Sequence, residues 1–112
     1  MPPKKNPLGL NALQLKTLTL LQELARVTGN SGSTEEAGIA VRPPDPYGDH
    51  FHLGDAVIAM RDASGLRNSA VWAVLERKGL IRSMYPHVAI VTPLGLDYDT
   101  GLREAVLRKS GH

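Results

Sequence analysis

The sequence predicts a small α+β domain, and three observations support this fold class. First, apolar residues recur at helical spacing over Leu10–Val27. Second, two segments with apolar and β-branched residues, Leu80–Met84 and Val88–Thr92, are joined by Tyr-Pro-His, which is typical of a β-hairpin. Third, two short helical segments precede this hairpin. A chain of 112 residues with 42% hydrophobic and 21% charged residues suits one domain, which we place at residues 10–112.

The composition excludes several classes of function. The chain has no cysteine, so a disulfide framework, a thiolate zinc site and a cysteine nucleophile are excluded. No apolar run is long enough to span a membrane, and the first residues lack the apolar core of a signal peptide. We therefore expect a cytoplasmic protein without a membrane partner. Residues 1–9, with three prolines and two lysines, are expected to form a disordered arm.

The formal net charge is only +2, but the charges are unevenly distributed along the chain. Residues 28–58 contain one basic and five acidic residues, whereas residues 59–96 contain five basic and two acidic ones. The basic segment includes the predicted hairpin and most of the helical region before it. A surface of this charge fits nucleic acid binding, although ordinary protein surfaces are often similar.

The first predicted helix, Leu10–Val27, begins at Asn11, whose side chain suits a helix N-cap. Leu15 and Leu18 lie off its main apolar stripe, so the helix needs a second partner. That partner is either another element of the same core or a second subunit. In the second case, these two leucines and the final predicted helix, Leu94–Lys109, form a homodimer interface.

Residues 28–52 make an unusually long connection for a domain of this size. Gly38–Arg42 and His50–Leu53 have the composition of short strands, and the prolines between them exclude regular structure. The segment is therefore predicted to be an irregular insert or a hairpin.

The first of the two short helices is predicted at Ala56–Asp62. Asp55 is placed to cap this helix or to face the positive end of its dipole. Ala63–Arg67 is predicted to follow as a sharp turn, in which Gly65 adopts the left-handed conformation.

The second short helix is predicted to begin at Asn68 or Ser69, both of which are good N-cap residues, and to extend to Lys78. Gly79 is expected to end it. Its inner face consists of three apolar residues, namely Val71, Val74 and Leu75.

Three motifs in this region occur in a recognisable order. They are Gly65–Val71 (GLRNSAV), Leu75–Ile81 (LERKGLI) and Val91–Gly95 (VTPLG). They resemble the start of the recognition helix, its exit into the wing, and the end of the wing in winged-helix regulators of the MarR and PadR groups. The resemblance covers about Leu53–Leu96. It implies a winged helix-turn-helix with a two- or three-stranded wing sheet and flanking N- and C-terminal helices.

This resemblance implies a small transcriptional regulator whose second helix enters the major groove of double-stranded DNA. Arg67 would bind a guanine or a phosphate, Asn68 an adenine edge, and Ser69 a phosphate. Trp72 would lie at the edge of this DNA-binding surface. The alternative is that it lies in the core or in a protein interface. The implied DNA-binding residues are Arg67, Asn68, Ser69, Ala73, Arg77 and Arg82.

A protein-interaction module that does not bind DNA is the alternative, because the winged-helix fold serves both functions. Two features of the sequence favour it. The predicted wing tip, Tyr85–His87, contains no arginine or lysine, and Glu76 on the second helix would repel phosphate.

His50 and His52 are the candidate metal ligands, since side chains two residues apart on a strand share one face. Asp49 or Asp55 would supply an oxygen ligand, and a metal- or ligand-responsive regulator would follow. A solvated polar strand is the alternative interpretation, and the prediction is no metal. The chain contains neither a phosphate-binding loop nor a nucleophile motif, so the sequence predicts no enzyme activity and no cofactor.

Overall fold

The computed structural model describes residues 7–28, 38–44, 48–53 and 56–108. These residues form an α+β fold, which confirms the predicted class. Helix and strand bounds in chain order are α1 (Ala12–Thr28), β1 (Ile39–Val41), β2 (His50–Leu53), β3 (Ala56–Ala59), a 3-10 helix (Met60–Arg67), α2 (Ser69–Arg77), β4 (Ile81–Met84), β5 (Val88–Val91), α3 (Pro93–Asp97) and α4 (Arg103–Arg108).

The strands form two antiparallel sheets. The larger sheet has the order β1-β5-β4, and Val91 of β5 pairs with Ile39 on one side and Ile81 on the other. The predicted hairpin is therefore β4–β5, and the short strand predicted at 38–42 adds to it as a third strand. Among the described residues, the smaller sheet consists of β2 and β3.

The helix predicted at Ala56–Asp62 is wrong in its first half, because Ala56–Ala59 is strand β3. This strand pairs with β2, and its Ile58 lies opposite Phe51 with both side chains buried. The remaining residues begin the 3-10 helix, whose start has no side-chain cap. Asp55, the predicted cap, lies outside the described residues. The end of the predicted insert, as β2, thus pairs with the start of the predicted helix, as β3.

Gly65 lies within the 3-10 helix, so the turn predicted there with a left-handed glycine is also wrong. The reason for a glycine is a close approach to α1. An alanine Cβ at this position would overlap Thr17 Oγ1 and lie 3.4 Å from Leu13 Cδ1. The absence of a side chain therefore lets the 3-10 helix pack directly against α1.

Helix α1 begins with a reciprocal cap, which confirms Asn11 as the N-cap. The Gln14 amide donates to Asn11 Oδ1 at 2.8 Å, and the Asn11 amide donates to Gln14 Oε1 at 2.9 Å. Most of the predicted apolar stripe is buried or half-buried, but Val27 at its end is 50% exposed.

The second side of α1 is covered by the chain's own C-terminal segment. Gln22 Nε2 donates to the carbonyls of Gly95 and Tyr98, each at 2.8 Å. Arg103 Nε donates to the buried carboxylate of Glu23 at 2.6 Å. Leu18 is fully buried within this single chain. It is therefore not available to a second subunit. Leu15 is half-buried, and the homodimer itself stays a prediction.

The final helix predicted at Leu94–Lys109 is two short helices in the described residues. Helix α3 ends at Asp97, and α4 begins at Arg103. Gly101, with φ of 74°, lies in the connection. Tyr98 and Val106 both pack into the core, so the segment folds back along α1. None of the described helices is long and apolar enough to cross a membrane.

Candidate nucleic-acid interface

The N-terminus of α2 is fixed by Asn68. Its Oδ1 accepts hydrogen bonds from the amides of Ala70 at 2.9 Å and Val71 at 3.3 Å. Asn68 is thus the N-cap, one of the two residues predicted for this role. Because its side-chain oxygen is already occupied, two-point recognition of an adenine by Asn68 would break the cap. The structure therefore gives this residue a helix-capping role.

Helix α2 has one buried face and one exposed face. Val71, Trp72 and Leu75 are buried, and the helix ends at Arg77, two residues before Gly79, whose φ is 80°. Small residues dominate the first turns of the outer face. The exposed residues of α2 are Ser69, Ala70, Ala73, Glu76 and Arg77.

Trp72 is part of the core and does not lie at the edge of the outer face. It is fully buried, and its indole ring packs edge-to-face against Tyr85 with ring centroids 5.0 Å apart. Within the described residues its Nε1 has no hydrogen-bond partner. The tryptophan therefore couples α2 to the hairpin through packing, and it is not available for stacking on a base.

The tip of the β4–β5 hairpin is held against the beginning of α2. Tyr85 Oη donates to the Arg67 carbonyl at 2.7 Å. Lower on the hairpin, the Ser83 amide donates to Glu76 Oε2 at 3.1 Å. The carboxylate of Glu76 thus has a backbone partner in β4. These contacts join α2 and the hairpin into one surface.

Three predicted cationic residues lie on or beside this surface. Arg67, Arg77 and Arg82 are all exposed, and none forms an ion pair within the described part of the chain. An unpaired guanidinium group keeps all five N–H donors for a ligand such as phosphate. Ser69 and Ala73 are exposed as predicted.

Two residues that the sequence analysis missed lie next to Arg67. Arg61 and Ser64 line a single cleft with Arg67 and Met60, and its volume is about 510 Å³. Both missed residues are exposed. Arg61, Ser64 and Arg67 are three residues apart, which places them along one edge of a 3-10 helix. The sequence predicted part of a helix and a turn here, and in those structures this spacing does not define one edge.

His50 and His52 share the exposed face of β2, with ring centroids 5.4 Å apart. His50 Nδ1 lies 2.9 Å from Asp49 Oδ1, and this hydrogen bond lowers the pKa of the Asp49 carboxyl. Within the described residues, no three histidine, aspartate or glutamate side chains form a group that could hold a metal ion. The two histidines therefore supply at most two ligands.

The chain was also compared with known proteins. No protein-family model, curated protein or solved structure matches it. The interpretation of this surface therefore depends on its own geometry and on the three sequence motifs.

Proposed function

We propose that this chain is a winged helix-turn-helix domain that binds double-stranded DNA through α2. The main observation in support is that α2 and the β4–β5 hairpin form one continuous surface. A capped helix exposes small residues near its N-terminus, and the hairpin beside it is attached at Arg67 and Glu76. Unpaired arginines flank this surface. An exposed helix with small residues at its start can approach the bases closely in the major groove.

The order of the elements supports the same proposal. A helix is followed by a strand, the β2–β3 pair, a short helical segment, a second helix and a hairpin, and the first strand pairs with the second strand of that hairpin. In a winged helix, the helix before the hairpin is the recognition helix and the hairpin is the wing. Here α2 takes the first role and β4–β5 the second.

The contacts divide into two classes under this proposal. Arg67, Arg77 and Arg82 bind phosphates and set the position of the domain on the duplex. Ser69 and Ala73 lie closest to the bases, where a hydroxyl and a methyl group offer modest sequence discrimination. Most of the affinity therefore comes from charge, and binding to mixed-sequence DNA is expected.

A protein-binding module is the second candidate, and the wing tip favours it. Met84 is 58% exposed and Tyr85 is 37% exposed, and Tyr85–His87 carries no lysine or arginine. Exposed apolar groups of this kind are common at protein interfaces.

The proposal is tested by fluorescence-anisotropy titration of a mixed-sequence duplex at two salt concentrations. Three cationic contacts predict a log–log salt slope of about −2.7, or about 40-fold weaker binding between about 50 and about 200 mM salt. Arg77→Gln with Arg82→Gln should flatten this slope. Arg42→Gln is the matched control, because Arg42 is exposed and follows β1, at the opposite edge of the sheet from β4. No binding at low salt would exclude the DNA function and favour the protein-binding module.

A further inference from the structure

Arg61, Ser64 and Arg67 form a row along one edge of the 3-10 helix. A 3-10 helix has three residues per turn, so residues at positions i, i+3 and i+6 lie above one another. The opposite edge is fixed in the core, because Ala63 is 3% and Leu66 is 2% exposed. The backbone leaves helical geometry at Ala63, yet all three residues of the row still line the same cleft.

The described lining of this cleft suits an anionic ligand. Its described lining consists of two guanidinium groups, one hydroxyl and the apolar side chain of Met60, with no acidic residue among them. Neither arginine forms an ion pair within the residues that the structure describes. Guanidinium groups bind phosphate oxygens through paired N–H donors, and a serine hydroxyl adds one further donor.

The cleft is rigidly connected to α2. Arg67 directly precedes the N-cap Asn68, and its carbonyl accepts the hydrogen bond from Tyr85 Oη. Gly65 lies between Ser64 and Arg67 of this row, and its lack of a side chain lets it pack against α1. An anion bound in the cleft would therefore fix the position of the first turn of α2 relative to the ligand.

We propose that Arg61, Ser64 and Arg67 form a clamp for one phosphate group of the DNA backbone, adjacent to the entry of α2 into the groove. This inference rests on the proposed DNA-binding function and adds to it a site on the 3-10 helix. A phosphate contact positions the protein without reading sequence. The clamp therefore contributes equally on all duplexes.

The experiment compares wild-type protein with Arg61→Gln and the matched control Arg42→Gln in the anisotropy titration, on two unrelated duplexes over a series of salt concentrations. Without Arg61 the phosphate is held by Arg67 alone, so the magnitude of the salt slope should fall by an amount between zero and the about 0.9 of a whole phosphate contact, and binding at about 50 mM salt should weaken by a factor of less than about ten. The reduction should be the same on both duplexes. Thermal unfolding of each variant verifies that the fold is retained.

A second measurement separates the clamp from the DNA-binding function. Inorganic phosphate is titrated into 15N-labelled protein, and saturable amide shifts are expected at positions 61, 64 and 67 in wild type but not in Arg61→Gln. If the protein binds DNA and Arg61→Gln behaves as Arg42→Gln does, the clamp is wrong while the function stands. If DNA does not bind but the phosphate shifts occur, the function is wrong and the cleft serves another phosphate source. If the duplex does not bind and phosphate causes no amide shifts, both proposals are wrong.

Discussion

Replacing Gly95 with alanine is expected to destabilise the domain by about 3 kcal/mol or more, since the new methyl group has no space. An alanine Cβ would overlap the Leu80 carbonyl oxygen and lie 3.1 Å from Val91 Cγ1. The Leu80 carbonyl cannot easily move, because it accepts hydrogen bonds from the Thr92 amide and the Thr92 hydroxyl, each at 3.1 Å. The clash is therefore with backbone that is fixed at the base of the β4–β5 hairpin.

Urea unfolding measures this effect as a lower midpoint at constant slope. Leu94→Ala is the neighbouring control, because Leu94 is 53% exposed and its loss should cost little. A Gly95→Ala protein as stable as wild type would show that α3 does not approach the β4–β5 hairpin this closely.

Replacing Trp72 with alanine is expected to cost about 3–5 kcal/mol, the range for removing a large buried aromatic side chain. Trp72 is fully buried and joins α2 to the β4–β5 hairpin through its contact with Tyr85. This loss is a large fraction of the about 5–15 kcal/mol that stabilises a typical domain. Urea unfolding measures the loss directly.

Trp72→Phe is the informative companion to this substitution. Phenylalanine keeps most of the packing and removes the Nε1 donor that has no described partner, so we expect a loss of about 1 kcal/mol or less. Equal losses in the two variants would contradict this account, because they would mean that the indole N–H has a partner essential to stability.

Sequence signals predicted the structure correctly where it depends on residues that are close in sequence. The caps at Asn11 and Asn68 and the end of α2 before Gly79 were predicted from local hydrogen-bonding and conformational preferences. Strands β4 and β5 were predicted within one residue, because two short apolar segments joined by a tight turn have a clear pattern.

The errors arose where distant contacts decide the structure. Ala56–Ala59 fits a helix or a strand equally well, and pairing with β2 selects the strand. Leu18 is off the main stripe of α1, and its burial follows from packing within the chain's own core. Of the proposed interface, the cations at 67, 77 and 82 are exposed as the sequence suggested. Arg61 and Ser64 were missed because a three-residue period has meaning only in a 3-10 helix.

Amide shift mapping with a mixed-sequence duplex tests the central claim most directly, because it identifies the surface that contacts DNA. The duplex is titrated into 15N-labelled protein at low salt. We predict that the largest shifts occur in α2, the adjacent 3-10 helix and the wing at Arg82–His87. The α1–α4 side, around Val27 and Arg103, should remain unchanged. Shifts confined to that opposite side, or no shifts at saturating duplex, would contradict a DNA-binding winged helix.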